Sequence, residues 1–215
     1  MELAPDLAFY SRDSLVVARD LLGAYVSTNI AGTTTKIRIT EVEAYRGSED
    51  PGSHAYRGRT KRTEVMFGPA GHLYVYFTYG MHWCMNIVTG KEGSANAVLL
   101  RGGEIVSGIE AARIRRPSAR RDTDLARGPA RFTTALGLDG TANGMNLLNP
   151  KDPVTVTIDS NASDAVQNEE VATGPRVGVS GPGGDGDTYP WRLWISGEPT
   201  VSQYRPGKPR KRKKD

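Results

Sequence analysis

The chain has 215 residues, enough for one domain or at most two, with 38% apolar and 24% charged positions. Its longest mostly apolar run, 73–88, is broken by Thr78, Gly80, His82 and Asn86, which excludes a membrane-spanning helix, and its single cysteine, Cys84, excludes an internal disulfide. The net charge of +4 resides in the tail, where Lys208–Asp215 carries six Lys/Arg and one Asp; the remaining 22 basic and 23 acidic residues leave any nucleic-acid surface on the folded part as a local patch.

In chain order, Ser11 reads as the N-cap of a helix through Leu22 that Gly23 ends. Ala24–Ile30 reads as a strand, Gly32–Thr35 as its turn, and Lys36–Tyr45 as a second strand. Arg46–Lys61 is a loop rich in Gly, Ser and charge, long enough to suggest function. Two β-prone runs within His72–Thr89 flank Tyr79-Gly80 and predict a hairpin. Asn96–Arg101 is a further strand. Gly108–Arg116 and Gly128–Leu136 are predicted helices, the second with Pro129 at its first position and Gly137 as its stop. Val154–Asp159, Arg176–Ser180 and Arg192–Ser196 read as short strands, Gly181–Asp187 as a flexible loop, and the basic segment after Pro206 as a disordered tail. Helices interrupt strands without βαβ regularity, so a single mixed α+β domain over residues 1–206 is expected.

Several chemistries leave no trace. Three His and one Cys without ligand spacing argue against a zinc site. No phosphate-binding loop, dinucleotide fingerprint or Ser-His-Asp order appears. An N-terminus without a basic, apolar leader sets the cytoplasm as the expected compartment. A cofactor-free hydrolysis, or plain binding, remains.

In a strand, residues two apart share a face, so Ile37, Ile39, Glu41, Glu43 and Tyr45 are expected to line one side. Two carboxylates then stand at the strand end before the long loop, where lost solvation makes a carboxylate a better base. Spacing does not choose between them, and either could be an edge carboxylate paired with an arginine. Tyr74, Tyr76 and Tyr79 crowd one stretch, with Tyr79 at the predicted hairpin tip. An aromatic at an exposed tip gives up core contact, so a stacked base is a natural partner; the alternative is local packing, strongest for Tyr74. Cys84 reads as a small core residue. Asn86 is an amide among apolar neighbours, suited to a structural hydrogen bond or to a base edge. Arg101 ends its strand, suited to an ion pair with a strand-end Glu or to holding phosphate or water. Two basic patches, 56–62 and 101–131, contrast with the acidic stretch Asp159–Asp187, in which Arg176 is the one arginine.

These residues also carry a resemblance. EVEAY at Glu41–Tyr45, Glu49-Asp50 with His54, MFGPAGHLYVYFTYGMHWCMNIV, VLLR, RGP at Arg127–Pro129, RVGVSGP and WRLWISG closely resemble the alkyladenine (3-methyladenine) DNA glycosylases, from about Leu15 to about Ser202. The resemblance implies a single α+β domain around a curved antiparallel sheet with surrounding helices, from which a β-hairpin enters the minor groove. It implies that Glu43 is the general base and that Arg101 helps hold the attacking water. Tyr45, His54 and Tyr76 would form the pocket for the flipped base, Tyr79 would intercalate, and Asn86 would crowd the 2-amino group of guanine. It implies no metal and no other cofactor, and a monomer that acts on double-stranded DNA carrying damaged purines. The basic tail, the Gly181–Asp187 loop, and Phe77 and Thr78 just before the tip depart from the family pattern.

Loss of a purine passes through an oxocarbenium-like centre, which needs nearby negative charge and a positioned water. One carboxylate could supply the charge and take the proton. No lysine stands at a matching position for a Schiff base, so no strand-cleaving step is expected. The rival readings are a non-catalytic binder of damaged duplex DNA and an RNA-binding domain.

Overall fold

A computed structural model describes residues 1–159 and 170–208; the basic tail from 209 onward and part of the acidic stretch, 160–169, lie outside the described residues. The described chain is one α+β domain built on an open antiparallel sheet. Its strands are β1 (Glu2–Leu3), β2 (Tyr25–Ile30), β3 (Thr33–Arg46), β4 (Leu73–Thr78), β5 (His82–Thr89), β6 (Asn96–Ser107), β7 (Val154–Asp159), β8 (Val171–Gly174) and β9 (Arg192–Ile195). The order is β1-β7-β2-β3-β6-β5-β4, with β9 joining β3 and β8 joining β9. The helices are α1 (Leu7–Tyr10), α2 (Ser14–Leu21), α3 (Ile109–Arg115) and α4 (Pro129–Ala135).

β3 is the organising strand. Along one edge it pairs continuously with β6, and along the other it pairs first with β2, through Arg38, and then with β9, from Glu41 to Glu43. At the changeover the ladder slips twice. Ile39 faces Gly103 and Glu41 faces Gly102, so Thr40 has no opposite number; Val42 then faces Leu100, so Arg101 has none. Each slip is a bulge, and one extra residue reverses the inward-outward alternation. Ile37 and Ile39 therefore point into the main core, and so do Val42 and Ala44. The single continuous side expected from strict alternation does not exist. The bulge turns Glu41, Glu43 and Tyr45 to the face opposite the isoleucines.

The main core lies on the helix side, where Val17, Leu21, Phe132, Ala135 and Leu136 pack against Val26, Ile37, Ile39, Val42, Ile87 and Leu100. A smaller cluster on the other face holds Tyr74, Val88 and Ala97 under Ala55 and Met66 of the segment between β3 and β4. That segment is no bare loop: it contains 3₁₀ turns at Gly47–Glu49 and Glu64–Phe67.

Local chemistry explains the other departures. The helix before β2 starts later than expected, because Asp13 accepts from the Leu15 N–H at 2.9 Å, while Ser11 turns its hydroxyl back to the Leu7 carbonyl at 2.7 Å. The β2–β3 turn is the two-residue Ala31-Gly32, both at positive φ, so β3 begins at Thr33, before the expected Lys36. Residues 176–180 form no strand: the Val177 N–H goes to the Glu43 carboxylate and the Gly178 N–H to the Arg205 carbonyl. β1 and β8, too short for a visible alternation, were not expected.

Candidate active site

The second face of the sheet carries the site. Tyr74 faces Asn86, Asn86 faces Leu99, Leu99 faces Glu43, and Glu43 faces Arg192, one row across five strands. Directly opposed residues share a face, and neighbouring strands lie about 4.8 Å apart. Asn86 and Glu43, two strands apart, thus stand about 10 Å from each other, room for a base and its sugar. The rows on either side hold Tyr45 opposite Ala97 and Tyr76 opposite Cys84.

The two carboxylates differ in their partners. Glu41 is buried, and its Oε1 accepts from Arg101 Nε at 2.9 Å, Arg192 Nε at 2.7 Å and the Ser202 hydroxyl at 2.9 Å; its Oε2 accepts from the Ser202 N–H at 2.7 Å. A carboxylate offers about four acceptor sites, and Glu41 accepts four hydrogen bonds, three of them on Oε1. Burial alone would raise its pKa, but Arg101 and Arg192 hold it below the ordinary value. Glu43 is equally buried. Its Oε1 accepts from the Val177 N–H at 2.6 Å, with Arg101 Nη1 at 3.3 Å, and its Oε2 accepts from the Tyr45 hydroxyl at 2.7 Å. Two hydrogen bonds and one ion pair leave Glu43 with more free acceptor capacity than Glu41, including a site on Oε2. Arg101, at its bulge, spans both acids; burial works against its charge, but Glu43 and Glu41 more than offset this and it stays protonated.

Aromatic rings flank this row. Tyr45 and Tyr76 are half-buried, and burial keeps both phenols neutral by raising their pKa values well above the ordinary one. Tyr76 stacks on Tyr74 with centroids 5.5 Å apart, and His54 meets Tyr76 edge-on at 4.6 Å. His54 Nδ1 lies 3.2 Å from the Tyr74 hydroxyl. Although the residue as a whole is exposed, the rings around its imidazole and the Arg62 charge lower its pKa. Asn86 is buried and donates from Nδ2 to the Tyr74 carbonyl at 3.0 Å. That bond fixes its amide plane.

The hairpin β4–β5 pairs with β6 only through Asn86–Thr89, so its outer half projects free of the sheet. Thr78 faces His82 across the tip, and Tyr79 and Gly80 both have positive φ, at 52° and 68°. Left-handed backbone suits Gly80 but strains a tyrosine. Tyr79 is 84% exposed and Met81 68%. Phe77 packs on Trp83 at 4.7 Å, and Trp83 closes on Gly140.

Sequence reasoning missed the back of the site. Arg176 is fully buried and grips Asp50 with two bonds, while also donating to the Ala44 carbonyl at 3.0 Å and the Gly183 carbonyl at 2.8 Å. Its guanidinium lies 4.5 Å from the Tyr45 ring centre. The Gly-rich loop thereby acquires a place: a Cβ on Gly183 would fall 2.2 Å from the Gly52 nitrogen, so only glycine lets the loop seat against the segment after β3. The one available hint was Arg176 itself, a lone cation in an acidic stretch.

Among the described residues, no three His, Cys, Asp or Glu converge as metal ligands, and no helix is long and apolar enough to cross a membrane. A family model described as methylpurine-DNA glycosylase matches residues 8–199. The chain is 53% identical over 206 residues to a Streptomyces avermitilis protein named "Putative 3-methyladenine DNA glycosylase", covering 95% of this chain and 93% of that one. Relatives of the same name from Nocardia farcinica and Leifsonia xyli subsp. xyli are 47% and 52% identical, over 93% and 89% of this chain and 93% and 88% of theirs.

Proposed function

The chain belongs to the methylpurine-DNA glycosylase family and is a DNA glycosylase, and from that premise we propose that it removes alkylated or deaminated purines from duplex DNA by one water-dependent step centred on Glu43. The observation that carries this reading is the unequal filling of the two carboxylates: Glu41 accepts four hydrogen bonds, whereas Glu43 accepts two beside one ion pair and keeps more acceptor capacity. A carboxylate with a spare lone pair beside aromatic rings can take a proton from water and face a developing cation.

In this reading Tyr79 enters the stack from the minor groove and fills the space of the extruded nucleotide. Tyr45, Tyr76 and His54 grip the base, and rings with electron-rich faces favour lesions that carry positive charge. Asn86, its amide held by the Tyr74 carbonyl, presents its remaining edge to the base and disfavours a guanine 2-amino group. The Val177 N–H and the Tyr45 hydroxyl orient the Glu43 carboxylate, and Arg101 bridges it to Glu41. Water attacks C1′, the base departs, and an abasic site remains, without a covalent enzyme intermediate or strand cleavage. The substrates are 3-methyladenine, hypoxanthine and ethenoadenine types, acted on by a monomer in the cytoplasm.

The test is Glu43→Gln on lesion duplexes, scored by alkali-cleavable sites. Lesion binding should persist while base release is abolished. Normal release by the variant would remove Glu43 from its role, and no abasic product from the unaltered protein on any lesion would favour a non-catalytic binder.

A further inference from the structure

An open cleft of about 610 Å³ lies away from the Glu43 face and is lined by Arg113, Arg116, Pro117, Arg120, Arg121 and Asp122. It follows α3, in the patch where arginines outnumber acids. Its charges are unevenly answered. Arg113 pairs with Asp122 at 2.8 Å, and Arg121 stands 3.6 Å from Asp124. Arg116, Arg120 and Arg131 form no ion pair with a described residue. Arg116 also holds a buried Nε that no protein acceptor meets. Burial and the facing charge of Arg131 make its protonated state harder to keep, though Asp124 helps it. A partly buried arginine that forms no ion pair, has an unmet Nε–H and faces a second cation favours an anion in the cleft.

Placement says which anion. β5 pairs antiparallel with β6 from Asn86 opposite Leu99 to Thr89 opposite Asn96, so the unpaired His82 end of β5 continues in the direction in which β6 runs beyond Leu99. The hairpin tip therefore projects toward the end of the sheet at which β6 runs on to Ser107 and α3. The Gly128 N–H donates to the Arg101 carbonyl at 2.7 Å, and Arg127 to the Val201 carbonyl at 2.8 Å, which ties the segment after the cleft to the strand that carries Arg101. The hairpin tip and α3 thus lie toward the same end of the sheet.

Resting on the glycosylase reading, we propose that this cleft is a second DNA contact, in which Arg116 and Arg120 hold a backbone phosphodiester away from the extruded nucleotide. It supplies sequence-independent affinity while the hairpin searches for a lesion.

The test compares the unaltered protein with Arg116→Gln/Arg120→Gln, measuring binding to lesion-free duplex DNA across salt concentrations. Each phosphate contact contributes about 0.9 to the slope of log affinity against log salt, so the slope should fall by about 1 to 2. Single-turnover base release at saturating enzyme should not change, and neither should the melting temperature fall. An unchanged slope overturns the proposal, as does loss of base release with the slope intact. Inorganic phosphate, at ionic strength matched with chloride, distinguishes the sources: if it stabilises only the unaltered protein while the DNA slopes coincide, the cleft serves a free ion and the proposal fails. Absence of base release on every lesion, with a reduced slope in the variant, would sink the glycosylase reading and leave the cleft standing.

Discussion

Arg176 and Asp50 form a two-bond ion pair, at 2.5 and 2.6 Å, with neither side chain exposed to solvent. The next residue, Val177, gives its N–H to Glu43. The pair therefore sets the position of a donor to the Glu43 carboxylate. Asp50→Asn should destabilise the fold by about 3–5 kcal/mol, because it leaves the Arg176 charge buried without its partner. It should also slow base release. Arg176→Met with Asp50→Leu removes both charges and should recover much of the stability without the rate. Chemical denaturation and single-turnover kinetics on the same proteins check this; recovery of both together would show that the pair does not act through Val177.

Glu41 and Glu43 should separate stability from activity. Glu41 has its pKa held below the ordinary value by Arg101 and Arg192, against the opposing effect of burial. A depressed acid contributes stability above its unfolded pKa of about 4.5, which is lost as pH falls through the lower folded value. Glu41→Gln should weaken that dependence and cost several kcal/mol, about 3 or more, since two buried arginines lose their shared acceptor. Glu43→Gln should unfold near the unaltered protein and release no base. Denaturant midpoints between about pH 2 and pH 7 make the comparison, and equal losses in the two variants would refute the division of roles.

How much of this was legible in advance depended on the distance over which each feature is encoded. The hairpin was visible because two β-prone runs around Tyr79-Gly80 are a local signal, and α4 because Pro129 and Gly137 mark its ends. The face on which Glu41 and Glu43 lie was misread, because a bulge at Thr40 has no local signature: it exists only where β3 exchanges β2 for β9. The Arg176–Asp50 pair spans 126 positions and the Val177–Glu43 bond 134, separations over which periodicity carries no information. Spacing could not choose between the two acids, because the difference lies in donors from Arg192 and Ser202, far along the chain.

Cys84 should be chemically silent in the native protein. Its thiol is buried opposite Tyr76, and burial pushes its pKa up to about 11. Only a thiolate attacks a disulfide reagent, so little reactive form exists at pH 8. An aromatic disulfide reagent should label no thiol in the folded protein and one after denaturation. Rapid native labelling at pH 8 would mean that the hairpin opens between β4 and β5 far more often than its pairing suggests.

Tyr79 sits in left-handed backbone at a solvent-exposed tip, an arrangement that folding alone does not favour. Left-handed geometry costs a non-glycine residue about 1–2 kcal/mol, and glycine avoids that at about 0.5–1 kcal/mol of added chain entropy. Tyr79→Gly should therefore be neutral or slightly stabilising. Stacking of an aromatic on a base contributes about 1–3 kcal/mol, so the same change should weaken capture of the extruded base about ten- to hundredfold. Thermal melting and the fluorescence of a flipped ethenoadenine measure the two effects on one variant. A drop of several degrees in melting temperature would show that the ring packs against the protein, and unchanged flipping would show that the tip is not the wedge.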